Sequence, residues 1–170
     1  MYRRSLATVL VIFMLWNLSA CSAETPTDSS MDHSVLSKEY ESAEGRQVKM
    51  TAGDVQVLIT LNDSEAAADF VKMLPLELTL IERNNFAKGM RLPRMLSTEK
   101  ETTRKYEIGD FGYWDAGPDL AIFYDDIHEQ TIVPVIPLGK AETGAENMRY
   151  TSGTVRLELV PEESEETQNE

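Results

Sequence analysis

Several residue types that mark common protein classes are scarce in this sequence. One cysteine and two histidines occur in 170 residues, which excludes a disulfide framework and the spacing of a zinc finger. Positive charge is also scarce, because 16 Lys and Arg residues stand against 29 Asp and Glu residues and give a formal net charge of -13. Binding to nucleic acid requires a basic face that neutralises phosphates, so no nucleic-acid partner is predicted.

Sequence signatures of catalysis are missing as well. The chain contains no nucleophile elbow, no phosphate-binding loop and no metal-binding helix motif. We therefore predict no catalytic residue, no cofactor and no metal site. Hydrophobic residues still make up 42% of the chain, which is enough to bury the core of one folded domain.

The N-terminus has the order of a secretory signal peptide. Arg3 and Arg4 precede an apolar stretch over residues 6–18, which is too short for the roughly 20 apolar residues that a membrane-spanning helix needs. The stretch ends in Leu18-Ser19-Ala20-Cys21, which resembles the lipobox of bacterial lipoproteins. The resemblance implies cleavage before Cys21 and acylation of its thiol and its new amine. The alternative is a free core cysteine behind an ordinary signal or anchor helix.

Lipidation of Cys21 predicts the location of the protein. Several acyl chains on one residue attach a protein stably to a membrane. We therefore expect a lipid-anchored protein of the bacterial cell envelope, whose body faces the periplasm or the exterior. Ser22 stands where an aspartate would signal retention in the inner membrane, which favours the outer membrane in a Gram-negative cell.

Composition divides the chain into four parts. The predicted signal peptide covers residues 1–20, and a flexible tether rich in Ser, Thr, Asp and Glu follows the lipidated cysteine over residues 21–47. A folded domain is predicted over residues 48–160. An acidic tail over residues 161–170 is predicted to be disordered.

The sequence of the folded domain predicts mainly strands. Alternating or continuous apolar residues predict strands over residues 48–51, 55–61, 76–81, 120–124, 133–138 and 155–159. A single helix is predicted between the N-cap residues 62–64 and Pro75. The two prolines of segment 133–138 suit only an edge or irregular strand, and segment 83–105 is predicted to be an irregular excursion. This pattern favours a mainly β protein, a small closed β-barrel with one main α-helix.

Three segments resemble one known family. They are residues 55–81 with the junction Met73-Leu74-Pro75-Leu76, residues 108–114, and residues 120–124 together with 136–140. In this order they resemble the bacterial cyclophilin-like domain family, which implies a closed barrel related to cyclophilin. Cyclophilins proper isomerise prolyl bonds with an arginine in a Phe-His-Arg motif. That motif does not occur here, so the resemblance implies the barrel and not the isomerase activity.

A concentration of positive charge marks a candidate site. Segment 83–105 holds seven basic residues against Glu99 and Glu101, and it could form a basic lip that attracts an anionic ligand or lipid. The alternative is a surface loop whose bases pair with nearby acids. Arg91 and Arg94 are the preferred anion contacts because guanidinium groups bind carboxylates bidentately. The predicted ligand cleft comprises Arg83, Arg91, Arg94, Tyr113, Trp114, Phe123 and Tyr124, with Trp114 as its apolar floor.

Acidic residues after strand 120–124 form a second candidate. Asp125, Asp126, His128 and Glu129 could supply acid–base chemistry or bind a cation, and the alternative is a solvated turn between strands.

The sequence leaves three hypotheses about function. The first is a membrane-tethered module that binds a small ligand, either anionic or neutral, or an extended peptide. The others are a divergent peptidyl-prolyl isomerase or folding assistant, and a structural partner in an envelope complex.

Overall fold

A computed structural model describes residues 41–97, 101–114 and 116–161. The predicted signal peptide, Cys21, most of the tether and most of the acidic tail lie outside these residues. The described chain contains a short helix, α1 (Glu65–Val71), and a 3₁₀ helix over Ala145–Tyr150. Its strands are β1 (Gln47–Ala52), β2 (Val55–Leu61), β3 (Leu76–Arg83), β4 (Ala87–Arg91), β5 (Asp110–Trp114), β6 (Asp119–Phe123), β7 (Ile136–Ala141) and β8 (Thr154–Leu159). None of the helices in the described segments is long and apolar enough to cross a membrane.

The strands form a closed barrel in the order β1-β2-β7-β5-β6-β4-β3-β8. Every neighbouring pair is antiparallel, and β8 pairs with β1 and closes the circle. Closure gives each described strand a hydrogen-bonded neighbour on both sides. The prediction of a mainly β, closed barrel with one main α-helix is confirmed.

Strand β2 shows how the alternating sequence produces the barrel wall. Val57, Ile59 and Leu61 point into the core and are buried, whereas Leu58 between them is exposed. This period of two is the geometry of an extended strand. The turn from β1 into β2 uses Gly53, whose φ of 59° is accessible to glycine without strain.

Helix α1 begins where the sequence predicts. The Ser64 hydroxyl accepts a hydrogen bond from the Ala67 amide at 3.1 Å, which is an N-cap contact. Phe70 is fully buried and lies 5.6 Å from Phe111 between ring centroids, which fixes the helix on the barrel. The helix ends at Val71, earlier than the predicted stop at Pro75, because the following amides bond to carbonyls three residues back and tighten the chain into turns.

Segment 83–105 contains a regular strand, which corrects the predicted irregular excursion. Asn84 and Asn85 have φ values of 51° and 60° and turn the chain from β3 into β4. Two consecutive residues with positive φ suit a tight hairpin, and asparagine tolerates this conformation well. Lys88 belongs to β4 and is buried, with Nζ 2.6 Å from Glu82 Oε2. It therefore does not belong to an exposed basic lip.

The bounds of the strand predicted over residues 133–138 are corrected. Strand β7 begins at Ile136 and lies between β2 and β5, so of the two predicted alternatives it is an irregular strand and not an edge strand. Pro137 is tolerated in this interior position because the pairing of β5 shifts register between Phe111 and Gly112, opposite the proline. The Pro137 carbonyl remains bonded, since it accepts from the Asn62 side-chain amide at 2.9 Å.

The packed body begins upstream of the predicted domain start. Ala43 is fully buried in the core, although its position lies in the predicted tether. Gly45 donates its amide to the Leu61 carbonyl, and the Leu61 amide donates to the Arg46 carbonyl. The last residues of the predicted tether therefore continue the sheet against β2.

Candidate ligand-binding groove

The outer faces of β4, β5 and β6 form a platform of small residues. The register places Ala87 beside Phe123, and Ala121 lies beside both Gly89 and Gly112. Few large side chains occupy the middle of this face, so other segments of the chain can approach the sheet closely. A small apolar cluster on this outer side is separate from the barrel core and comprises Phe86, Ala87, Ala121, Phe123 and Val135, with Tyr106 and Trp114 packed against it.

A loop between β6 and β7 forms the opposite wall. Thr103 and Val135 exchange backbone hydrogen bonds of 2.8 Å in both directions. The Thr131 amide donates to the Arg104 carbonyl at 2.8 Å, and its hydroxyl donates to the Val133 carbonyl at 2.7 Å. These contacts hold segment 128–133 above the platform, and a cavity remains between the two.

This cavity, which we call the outer groove, has a volume of about 500 Å³, within the usual range of small-molecule sites. It is lined by Arg83, Asn84, Phe86, Arg91, Trp114, Ala116, Gly117, Asp119, His128, Gln130, Thr131, Ile132 and Val133. Apolar side chains cover much of the lining. Ile132 is 81% exposed, which is unusual for a large apolar residue. The groove therefore combines an apolar wall with a charged end.

The charged end consists of two arginines and one carboxylate. Strand register places Asp119 of β6 opposite Arg91 of β4. Arg83 Nη2 lies 3.5 Å from Asp119 Oδ2, and Arg91 Nη1 lies 3.5 Å from Asp119 Oδ1. Both distances are long for charged partners, which normally approach to about 2.7–2.9 Å. Among the described residues, two cations face one anion at this end, which leaves a surplus of positive charge there.

Arg83 is seated on the platform by packing. Its guanidinium carbon lies 5.6 Å from the centre of the Trp114 ring, within the range of a cation–π interaction. Gly89 makes room for the same side chain, because a Cβ at that position would lie 2.6 Å from Arg83 Nε. Arg83 therefore contacts Trp114, Gly89 and Asp119 together.

Three polar atoms of these side chains lack a hydrogen bond. They are Arg83 Nε, Trp114 Nε1 and Asp119 Oδ1, which are buried and have no hydrogen-bond partner among the described residues. Buried polar groups are nearly always hydrogen-bonded, and an unbonded one is costly. All three belong to side chains that line the outer groove, which makes this end the polar centre of the candidate site.

Arg94 does not lie in the outer groove, which corrects its predicted place beside Trp114. It binds Asp69 of α1 bidentately, with distances of 2.7 and 2.9 Å. The Ser97 amide donates to the same carboxylate at 2.9 Å. The hydrogen bonds from Arg94 lower the pKa of Asp69 from 3.8 to about 2. Arg94 therefore fastens segment 92–97 to the helix and is unavailable to a ligand.

The predicted aromatic residues divide between the two sides of the barrel wall. Trp114 lines the outer groove, and Phe123 lies in the outer cluster with its ring centre 4.6 Å from that of Tyr106. Tyr113 is fully buried in the barrel core, where its hydroxyl accepts from the Leu96 amide at 3.3 Å. Among the predicted cleft residues, the structure thus brings only Arg83, Arg91 and Trp114 together in the groove.

Tyr124 also faces inward. Its hydroxyl donates to Glu82 Oε1 at 2.7 Å, and burial together with this bond raises the tyrosine pKa to about 12. Lys88 Nζ lies 5.5 Å from the centre of its ring, so Tyr124 is surrounded by charged groups outside the groove.

The acidic residues after β6 do not gather into one site. Asp125 forms an ion pair with Arg149, and His128 meets the Phe86 ring edge-on with centroids 5.1 Å apart. Within the described segments, no group of three or more His, Cys, Asp or Glu side chains could hold a metal ion.

Sequence reasoning missed the partners that complete the groove. Asp119, Gly89 and the wall residues Ile132 and Val133 were not predicted to belong to a site. Asp119 meets Arg91 only through the pairing of β4 with β6, and no local spacing predicts that register. The one signal in the sequence for this wall of the groove is the apolar pair Ile132 and Val133, which follows a polar stretch.

The fold and this site define a small closed β-barrel that carries a groove of ligand size on its outer wall. The sequence model of the Cyclophilin-like family matches residues 50–160, and the chain belongs to that family. This confirms the predicted family resemblance. The bacterial origin and the lipoprotein signal remain predictions.

Two solved structures have a similar fold. The hypothetical protein AF2241 from Archaeoglobus fulgidus matches with a TM-score of 0.58 and 15% identity, over 71% of this chain and 98% of its own. McbB, solved in complex with tryptophan, matches with a TM-score of 0.53 and 16% identity, over 69% of this chain and 46% of its own. At these identities the similarity concerns the fold alone. No curated protein sequence matches the chain significantly.

Proposed function

We propose that this protein is a binding module, and that its outer groove holds a small ligand with an anionic group beside an apolar body. The observation that carries the proposal is the surplus of positive charge that the described residues place at one end of a largely apolar cavity. The domain is embedded in a strongly acidic chain, which repels anions except where positive charge is gathered. The groove is such a place.

Arg91 is suited to receive the anion. Its side chain is 63% exposed, and its ion pair with Asp119 is long. Because the arginine end of this pair is exposed and the contact is long, Arg91 can reorient toward a ligand. The apolar part of the ligand would then cover Ile132 and Val133, whose exposed surfaces gain from burial.

Existing contacts favour binding over catalysis. The Thr131 hydroxyl, a potential nucleophile, donates to the Val133 carbonyl. The His128 ring, a potential base, packs edge-on against Phe86. These groups support the groove wall and are not arranged as a nucleophile–base pair.

Small aromatic and aliphatic carboxylates are the probes that this chemistry suggests. Tryptophan belongs in the panel, since McbB was solved in complex with it and since it joins a carboxylate to a large apolar ring. Binding to the full-length protein in a mild detergent would be measured by calorimetry. We expect at least one such carboxylate to bind, and its neutral amide to bind more weakly.

The decisive comparison is between Arg91→Gln and Arg94→Gln. Each variant loses one arginine from the same segment, but only Arg91 lines the groove. Arg91→Gln should weaken the binding of a carboxylate by about 1.5–3 kcal/mol, the usual contribution of a charged hydrogen bond. Arg94→Gln should leave affinity unchanged. Equal effects of the two substitutions, or none in Arg91→Gln, would contradict the proposal.

A second candidate function is prolyl isomerisation or assistance in folding. The observation that favours it is Arg83, a guanidinium seated beside Trp114 at the edge of an apolar groove. The arginine of true cyclophilins hydrogen-bonds the prolyl nitrogen, and this family resemblance suggests the same test here. Faster cis–trans isomerisation of a proline peptide, lost in Arg83→Gln, would support the enzyme. Uncatalysed isomerisation takes tens of seconds or longer, so catalysis is easily followed.

The predicted location completes the proposal. We infer that the module is held at the bacterial envelope by lipid on Cys21, with residues 22–40 as part of its tether. This inference is supported by the sequence pattern of the N-terminus.

A further inference from the structure

Asp119 occupies the centre of the charged end of the outer groove. The barrel register places it opposite Arg91 on one side and Trp114 on the other. Its side chain is 14% exposed, so the surrounding groups largely exclude water from it. Oδ2 lies near Arg83, whereas Oδ1 has no hydrogen-bond donor among the described residues. One oxygen of a mostly buried carboxylate is therefore left with only a long ion pair.

The two arginines around Asp119 differ in freedom. Arg83 is fixed by its packing on Gly89 and Trp114. Arg91 is mostly exposed and has a 3.5 Å contact to Oδ1. A ligand anion will therefore draw Arg91 toward itself and leave Arg83 in place. That movement removes the ion pair between Arg91 and Oδ1.

The ligand must then supply a hydrogen-bond donor to Asp119 Oδ1 in place of Arg91. A buried carboxylate oxygen without a donor is destabilised, so a ligand that also offers an N–H beside its anion binds better than one that does not. The ligand carboxylate would face Arg91, and the N–H would donate to Asp119 Oδ1. The remaining apolar portion would lie along Phe86, Ile132 and Val133.

We propose, as a refinement that rests on the proposed function, that the outer groove recognises an apolar amino-acid residue with a free carboxylate and an adjacent N–H. Both a free amino acid and the C-terminal residue of a peptide carry these groups. In the first, the ammonium donates to Asp119 and in the second the last amide does. The groove thus recognises three groups of the ligand: its free carboxylate, the adjacent N–H and its apolar side chain.

The test is a ligand series on the unmodified full-length protein in mild detergent. N-acetyl-leucine, N-acetyl-phenylalanine and N-acetyl-tryptophan carry the carboxylate and the N–H. In their N-methyl analogues a methyl group replaces the N–H hydrogen, and in their amides a neutral carboxamide replaces the carboxylate. We expect each change to weaken binding at least about tenfold, as loss of a hydrogen bond to a charged group does.

Two variants locate the donor contact. In Asp119→Ala, the N–H and N-methyl ligands should bind alike, while the preference for a free carboxylate persists through Arg91. Asp69→Ala is the matched control, since Asp69 is an acidic residue bonded to Arg94 outside the groove. It should keep the full preference for the N–H ligands. The ligand series on the unmodified protein remains decisive even where a variant folds poorly.

Free amino acids and acetylated dipeptides separate the two sources. Tighter binding of leucine, phenylalanine or tryptophan identifies a free amino acid, and tighter binding of the dipeptides identifies a peptide C-terminus. Equal affinity of the N–H and N-methyl ligands would overturn the refinement and leave the proposed function standing. If no carboxylate of the series binds below about 1 mM, or if Arg91→Gln binds all of them normally, the proposed function fails as well.

Discussion

Gly89 and Gly139 both lie inside strands, yet they make room for different kinds of neighbour. A Cβ at Gly89 would meet the far part of the Arg83 side chain, which can rotate away. A Cβ at Gly139 would overlap the Thr60 carbonyl and approach the Leu61 Cα at 2.9 Å. Those are backbone atoms of the adjacent strand, and they cannot move without disturbing its pairing.

This difference predicts two outcomes for the same substitution. Gly139→Ala should lower the melting temperature by at least about 5 °C, because overpacking against backbone costs about 1–3 kcal/mol. Gly89→Ala should lower it by less than about 3 °C, because only a side chain must shift. The cost of Gly89→Ala should appear in ligand affinity, since Arg83 lines the groove. Thermal unfolding of both variants checks the prediction, and a larger loss in Gly89→Ala would contradict it.

At the scale of elements, segment 92–97 is fastened to α1 by a single carboxylate. Asp69 receives both the Arg94 guanidinium and the Ser97 amide. Leu96 of the same segment is buried and donates its amide to Tyr113 in the core. The ionised form of Asp69 therefore links the helix, the segment after β4 and the barrel interior.

The pH dependence of stability follows from the lowered pKa of Asp69. A carboxyl whose pKa falls on folding, here from 3.8 to about 2, stabilises the native state above pH 4. That stabilisation, up to about 2 kcal/mol, is lost as the pH falls toward 2. Asp69→Asn should therefore reduce stability at pH 7 and show a smaller loss between pH 5 and pH 2.

Chemical denaturation at several pH values measures this effect. Asp126→Asn is the matched control, because it removes the same charge from an exposed position. It should leave the acid-induced loss of stability unchanged. An Asp69→Asn variant with the pH profile of the unmodified protein would show that the contact with Arg94 does not stabilise the fold.

At the scale of the whole molecule, charge and the proposed anchor define where the groove works. The chain carries a net charge of -13, which disfavours the binding of anions except where arginines are gathered. A lipid on Cys21 would hold this acidic body near a membrane surface, and the length of the tether would limit how far the groove can lie from that surface.

The anchor is tested by Cys21→Ser in a bacterial host that processes lipoproteins. The substitution should abolish acylation and release the protein from the membrane fraction, because serine offers no thiol for the lipid. Ser22→Ala is the control, since it changes the neighbouring residue and keeps the thiol. Membrane association of Cys21→Ser after removal of the signal peptide would disprove the lipid anchor. Mass spectrometry of the mature N-terminus detects the acyl chains directly.

Much of the barrel could be predicted from local patterns. The alternation in residues 55–61 and the cap at Ser64 were correct because strand periodicity and capping depend on neighbours close in sequence. Strand β4 was missed because its strand character depends on a hairpin turn through Asn84 and Asn85 and on pairing with β6. The prolines predict an edge or irregular strand for β7. The strand is irregular, since its pairing with β5 shifts register at Pro137, but its interior position between β2 and β5 is set by the barrel and not by local sequence.

The sequence by itself determined the mainly β fold, the single helix and the presence of basic residues in segment 83–105. Only the tertiary structure decided which of those bases face a ligand. Arg91 and Arg94 are the same residue type and lie three positions apart, but strand register places Arg91 beside Asp119, whereas Arg94 contacts Asp69 of α1. Both carboxylates are distant from the arginines in sequence. Only the folding of the chain brings each pair together, so local sequence could not predict which arginine faces the groove.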